Sequence, residues 1–249
     1  MERIRVAGKK KLGISADSSI VLEDGAEAEI SIRPGRKIQI LIKTGKRCSV
    51  QTYMIVESRS SVSQENHIGE GSRIKTSSLW LSGGEGRMLN LLEGKGASAY
   101  DLHLFSGRHD DGLKVSATLR HLAKDTKGDV LVKGVVSDRS SAFLDGLIKI
   151  DKKGAGAESF LSEHVMILGK DAHARADPKL EIENNDVSSR HSASVSQIDP
   201  DKMFYLASRG IGAKEAEKLI VEGFLSSGLF RITDDAIRKT FEERLQGSL

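Results

Sequence analysis

Along most of this chain, apolar and polar residues alternate with a period of two, in short runs cut by glycine-bearing turns. That is the pattern of strands buried on one face. Runs of this kind cover 27–32, 37–42, 50–56, 74–81, 100–105, 113–119, 130–136, 142–150 and 165–168. In the clearest, Leu113, Val115, Ala117 and Leu119 face a core while Lys114, Ser116 and Thr118 face water. The same alternation, applied to Leu102 and Leu104, puts His103 on the outer surface. Turn glycines at 25, 45, 69, 94, 107, 128, 146 and 169 leave intervals of 20, 24, 25, 13, 21, 18 and 23. Most suit the rungs of a β-solenoid, in which each turn buries its inner face by stacking on its neighbours. A β-sandwich also spaces its turns closely, and the intervals alone leave both open.

Beyond residue 174 the pattern changes. A short strand at 179–182 meets an Asn184-Asn185-Asp186 turn, whose side chains can bond back to local backbone. A second alternating run, 191–198, brings His191 out of that turn, and then the period becomes 3.6. Asp199 caps a first helix with Pro200 at its first position, and Gly210 and Gly212 end it. Ala216, Leu219, Ile220 and Phe224 form the apolar stripe of a second helix, stopped by Gly228. Thr233 caps a third, with Asp234 and Asp235 in its first turn and Ile237, Phe241 and Leu245 along one face. The expected division is a β core over 1–198 and a helical region over 199–249.

At 249 residues the chain can bury a sizeable core, and with 38% hydrophobic but 4% aromatic residues that core must be aliphatic. The 38 basic residues nearly balance 35 acidic ones, for a net charge of +3. Such balance argues against a dedicated nucleic-acid or membrane binder. The charged start, Met1-Glu2-Arg3-Ile4-Arg5, does not resemble a secretory leader, and no run is long enough to span a bilayer. Cys48, the only cysteine, cannot form an internal disulfide. A cytoplasmic location is expected.

No self-sufficient catalytic set emerges. The sequence lacks GxxxxGK[ST], HExxH, CxxC and GxSxG, so any ATP chemistry belongs to a partner. Asp110-Asp111 and Glu23-Asp24 read as solvated turn residues, and the exposed loop Arg108-His109-Asp110-Asp111 as no metal site. Cys48 reads as a small buried hydrophobe. His67, His109 and His121 lie near turns or strand ends without a partner pattern. His164, His173 and His191 stand out because the interval of 18 between the last two could stack them on successive rungs. The residues by themselves favour a structural role for all three.

One stretch goes further. Pro178-x-Leu180-Glu181-Ile182, Asn185-Asp186-Val187, His191-x-Ala193-x-Val195, Phe204-Tyr205-Leu206, Ser208-Arg209-Gly210-Ile211, Ala216 and Gly223-Phe224 occur in order across three element types. The stretch resembles the C-terminal signature of the SufB/SufD family of iron–sulfur cluster assembly proteins. The resemblance implies a right-handed parallel β-helix with a small helical region, in a short form without the family's N-terminal helical segment. It implies a non-catalytic scaffold, pairing with itself or a SufB-like chain. Docking of a SufC-type ATPase on the helical region would involve Phe204, Tyr205, Arg209, Gly210, Ala216, Ile220 and Phe224. His191 matches a histidine implicated, in the SufD branch, in forming a transient iron–sulfur cluster. The essential cysteine of the SufB branch falls, counted back from Gly169, at Glu163, and the glutamate after the histidine is Ser192. Both differences make the chain SufD-like there, and any cluster would need His191, carboxylates or a partner's thiolates. Whether a flavin takes part stays open.

Two other readings compete. Residues 200–226 look like a helix-hairpin-helix that could offer backbone N–H groups to phosphate. Yet Glu215, Glu217 and Glu222 share the second helix with Lys214 and Lys218, a poor surface for a polyanion. A β-helical polysaccharide enzyme would need clustered carboxylates and an aromatic groove, for which Trp80 and three tyrosines are little material.

Overall fold

A computed structural model describes residues 1–248. The strands wind into two parallel sheets that face each other. One sheet takes the odd strands: β1 (Glu2–Val6), β3 (Ser18–Leu22), β5 (Lys37–Thr44), β7 (Ser60–Ile68), β9 (Gly84–Leu92), β11 (Gly112–His121), β13 (Ser141–Ile150) and β15 (His173–Ala176), with β16 (Lys179–Ile182) also on β13. The other takes the even strands: β2 (Lys9–Ile14), β4 (Glu27–Ile32), β6 (Ser49–Val56), β8 (Arg73–Trp80), β10 (Ser98–Gly107), β12 (Lys127–Ser137) and β14 (Ala157–Leu168), ending on β17 (Val187–Gln197). Every pairing is parallel, so one odd and one even strand make a rung. This is the β-helical core that the family resemblance implied and the alternating pattern allowed, with a small helical region after it.

The corner joining odd to even strands repeats in each rung. Gly25, Arg47, Gly71, Gly96, Asp125 and Gly156 all take positive φ there, and each backbone N–H donates to the corner above, from Gly25 to Lys46 O through Gly156 to Asp186 O. Rung length is not constant. Register partners are 16 residues apart at Glu2↔Ser18, 24 at Ser49↔Arg73 and 32 at Ile150↔Ile182, so the solenoid widens along the chain. Gly45 and Gly69 do stack at a corner, where a Cβ on Gly69 would collide with the carbonyl of Gly45. Gly128 and Gly146, read as turn glycines, lie inside β12 and β13 instead, where they leave room for neighbouring side chains.

The interior is aliphatic, as expected: Ile20, Ile30, Ile42, Val50, Ile74, Val115, Leu144 and Ile148 belong to one continuous core. A polar thread also runs through it. Gln64 Nε2 donates to Asn66 Oδ1 at 3.1 Å, Asn66 Nδ2 to Asn90 Oδ1 at 2.8 Å, and Asn90 Nδ2 to Asp101 Oδ2 at 2.6 Å. Asp101 and His103 share that inner face, and His103 is fully buried, with Nδ1 2.7 Å from Ser78 Oγ. This corrects its expected surface placement. Strand β10 is covered on both faces, so Leu102 and Leu104 point outward beneath helices while His103 points in.

Helix α1 (Pro200–Ser208) starts as predicted, with Asp199 accepting from the Asp201 N–H and Pro200 in its first turn. Helix α2 (Ala213–Leu229) buries Ala216, Val221, Leu225, Gly228 and Leu229, so of the predicted stripe only Ala216 is fully buried. Leu219 is exposed, and Ile220 and Phe224 lie at the margin of the seam. Gly228 does not end the helix; it lies against Leu104, where a Cβ would approach Leu104 Cδ2 to 2.7 Å. Helix α3 (Asp235–Gln246) is capped by Asp234, whose carboxylate accepts from the Ile237 N–H, rather than by Thr233. Its Phe241 and Leu245 are buried as expected. These helices do not sit at the end of the solenoid. Helices α2 and α3 lie along the outer face of the even sheet, over Tyr53, Leu79, Leu102, Leu104, Leu131 and Met166.

Candidate functional site

The last rung is open. Strand β17 pairs only with β14, and β15 and β16 only with β13, so their outer edges carry no further strand among the described residues. The Asn184–Asp186 turn leading into β17 is an Asx turn, Asn184 Oδ1 accepting from the Asp186 N–H at 2.9 Å. From it β17 emerges with His191 in register with Leu161 and Ala193 with Glu163. Leu161 belongs to the interior core, so His191 occupies an inward-facing position. It is nevertheless exposed, since no rung lies beyond it.

One strand below and two positions along, beneath Ala193, Glu163 projects into the solenoid and is 1% exposed. Neither carboxylate oxygen has a hydrogen-bond partner. Gly146 on the opposite sheet makes its space, since a Cβ there would lie 2.6 Å from Glu163 Oε1. Burial pushes the Glu163 pKa up to about 7, Asp145 and Asp177 add repulsion, and the nearby Asp177 backbone N–H, itself committed to the Leu144 carbonyl, and Lys179 offset part of the rise. Lys179 is drawn to those two carboxylates, its Nζ 2.6 Å from Asp145 Oδ1 and 3.7 Å from Asp177 Oδ2. A buried, unpartnered carboxylate one strand below an exposed imidazole is a two-donor arrangement. It can take a proton or contribute oxygen and nitrogen to a metal-bearing cargo. It supplies no thiolate.

The other histidines separate from this site. His173 lies on β15 opposite Ser141, so it does not stack on His191; a rung here spans 30 or more residues, not 18. His164 pairs with Ser194 on the outer side, Nδ1 to Oγ 2.8 Å, and burial lowers its pKa. His121 is buried between Thr126 and Ser159. Cys48 is buried rungs away at the β5–β6 corner, its Sγ 3.1 Å from the Glu23 carbonyl. Asp110 holds Arg139 at 2.7 Å, and Asp111 accepts from the Gly83 N–H. Trp80 packs inward against Gly86 rather than lining a groove.

The residues named for partner docking divide in two. Phe204 and Tyr205 on α1 are 76% and 57% exposed, and Arg209 lies over the Tyr205 ring at 5.2 Å. Gly210 turns the chain at φ +81° between α1 and α2. Ala216 is buried, Ile220 packs into the helix–sheet seam, and Phe224 lies beneath Lys133, whose Nζ is 4.1 Å from the ring centroid. Helix α1 itself buries no residue. Sequence reasoning did not single out Asp145, Asp177 and Lys179; only their fold-generated proximity to Glu163 marks them.

A widening two-sheet solenoid with helices along one flank and an open, carboxylate- and imidazole-bearing last rung defines a β-helical platform. The chain belongs to the SufB/SufD family: the family model for the SUF system FeS cluster assembly SufBD core domain matches residues 6–224. It is 32% identical over 133 residues to the iron–sulfur cluster assembly protein SufD of Bacillus subtilis, covering 53% of this chain and 30% of that protein. Against SufB of the same organism it is 28% identical over 205 residues, 76% of this chain and 41% of SufB. A SufBD family protein of Synechocystis is 34% identical over 104 residues, 42% of this chain and 22% of the relative. The aligned regions thus span less than half the length of these relatives. Among the described residues, no helix is long and apolar enough to cross a membrane.

Proposed function

We propose that this chain is a scaffold component of SUF iron–sulfur cluster assembly, with the cluster as cargo handled at its open last rung. The observation that carries the reading is Glu163, buried without a hydrogen-bond partner, one strand below and two positions along from the exposed His191 at an unpaired strand edge. Two donors are too few for a cluster, so the remaining ligands come from a second chain, either another copy or a SufB-like protein. Pairing is assigned to the β17 edge, for which the two ends of the even sheet differ tellingly. Strand β2, at the far edge, carries Lys9, Lys10 and Lys11 in succession, a composition that discourages strand addition. Strand β17 reads VSSRHSASVSQ, with one arginine and five serines.

The helical region, from residue 199, is the docking element for a SufC-type ATPase, and α1 is its contact surface. Phe204 and Tyr205 are large, exposed and close to Arg209, the residue types that anchor protein interfaces. ATP hydrolysis belongs to that partner; this chain acts by holding and orienting. A cytoplasmic site of action follows from this role.

The test is recovery of the tagged protein from an anaerobic extract, with partners identified and iron and sulfide assayed. The expected result is co-recovery of an ATPase and a SufB-like chain or second copy, with iron and sulfide lost in a His191→Ala variant. Recovery of neither partner, with and without nucleotide, overturns the reading.

A further inference from the structure

A cleft of about 450 Å³ lies on the outer face of the even sheet, away from the last rung, where the α2–α3 connection overhangs the strands. Its volume is in the range of small-ligand pockets. The floor is a ladder in register across adjacent strands: Gln51 on β6, Lys75 on β8, Tyr100 on β10 and Asp129 on β12. Arg231 closes the far wall and is committed to Asp129, Nη1 to Oδ1 2.8 Å. Tyr53 lies beside the ladder and donates its hydroxyl to Gln51.

Charge pairing sets this cleft apart. Elsewhere on the same outer face Lys9, Lys11 and Lys127 each meet a glutamate on the next strand. Among the described residues Arg73 and Lys75 make no ion pair, and their register neighbours are neutral: Ser49 and Ser98 beside Arg73, Gln51 and Tyr100 beside Lys75. Arg73 instead lies 6.0 Å from the centroid of the Tyr100 ring. Negative charge collects at the opposite end, where Glu29 and Asp234 act on the Tyr53 hydroxyl. The cleft therefore has a cationic end beside an aromatic face.

We infer that this cleft binds a phosphate monoester carrying a planar ring, the phosphate on Arg73 and Lys75 and the ring against Tyr100. The phosphate gains charge-assisted hydrogen bonds from two cations that have no competing carboxylate. The ring gains a stacking face and the apolar wall of Leu102 and Ile232. The inference is independent of the proposed function, since it involves neither the last rung nor α1.

Calorimetric titration of the intact protein with AMP, adenosine and inorganic phosphate separates the two recognition elements. AMP is expected to bind with a dissociation constant below about 1 mM, and adenosine and phosphate each about tenfold or more weaker. An Arg73→Ser/Lys75→Gln double variant should lose AMP binding by about tenfold or more, and Tyr100→Ser should bring AMP down to the level of phosphate. Both sites are at the surface, and far-ultraviolet circular dichroism checks that the variants keep the native fold. Absence of AMP binding at about 10 mM, equal binding of phosphate and AMP, or AMP binding unchanged in the double variant overturns the inference.

Discussion

Four buried titratable side chains give the interior an unusual pH balance. Burial raises Asp101 and Glu163 to about 7, and it lowers His103 and His121 to about 4. Between the unfolded carboxylate values of 3.8 and 4.5 and the folded value of 7, the unfolded chain releases its protons first. Those two groups therefore cost stability as pH rises through that window. The histidines resist protonation when folded, so they cost stability as pH falls from 6.5 towards 4. The two slopes oppose each other. Glu163→Gln removes one side of the balance: at about pH 8 it should stabilise the protein by on the order of 2 kcal/mol, a gain that fades below about pH 4.5. Denaturant unfolding at several pH values checks this, and a pH-independent effect would show that the Glu163 carboxyl titrates alike in the folded and unfolded protein.

Residue-level surprises in the fold trace to the same interior. Strand β7 places Ser60, Gln64 and Asn66 inward beside Val62 and Ile68, so its sequence, SSVSQENHI, shows no hydrophobic alternation to detect. Strand β9 begins Gly84-Glu85-Gly86 and looks like a turn, yet Gly86 is there for the Trp80 ring, which a Cβ would approach to 2.7 Å. His103 was misplaced because period two tells which residues share a face, not which face looks inward. By contrast, Leu113, Val115, Ala117 and Leu119 are buried as read, because β11 has an outer face open to water.

Among the elements, a glycine inside helix α2 and one inside strand β12 have opposite meanings. Gly223 is exposed with nothing within 4 Å of an added Cβ, so Gly223→Ala should stabilise the protein by about 0.5–1 kcal/mol through helix propensity. Gly134 in β12 lies against the fully buried Phe105 ring, and a Cβ there has no room. Gly134→Ala should destabilise by about 1–3 kcal/mol, as overpacking does, and thermal unfolding of the two variants side by side decides the signs. Helix α1 differs from both its neighbours in burying nothing. Phe204→Asp should leave stability within about 0.5 kcal/mol of the native value while abolishing retention of the ATPase in a pull-down. Phe224→Asp would be a poorer probe, since Phe224 helps to hold α2 on the sheet beneath Lys133. The helices themselves were readable from Asp199, Pro200 and Gly210, as was the Phe241–Leu245 face of α3; the face α2 buries was not, because it depends on the sheet the helix lies against.

At the scale of the whole molecule, the asymmetry between the lysine-guarded β2 and the serine-rich β17 would make the proposed pairing directional. Lysines placed on the outer edge, as Ser188→Lys with Ser196→Lys, should convert any pairing through β17 to a monomer in light scattering after size exclusion. Unchanged mass of a paired protein would move the interface elsewhere. The alternation made the strands legible and the glycine intervals allowed a solenoid or a sandwich; the resemblance of residues 178–224 to the SufB/SufD signature chose the β-helix and singled out His191. The neighbourhood of Glu163 was not: Asp145 and Asp177 are 18 and 14 positions away in sequence and meet it only because two rungs close over one another.

The stepwise widening of the rungs has a further effect. In an array of equal repeats, a coil could slide by one full repeat and still find a matching neighbour. Here the odd-sheet register interval climbs from 16 through 22, 24 and 29 to 32, with two successive steps at 24 and two at 29. A turn skipped between steps of unequal length would leave its corners overhanging and its amides unmet, so the taper guards the stacking order everywhere except within those matched steps.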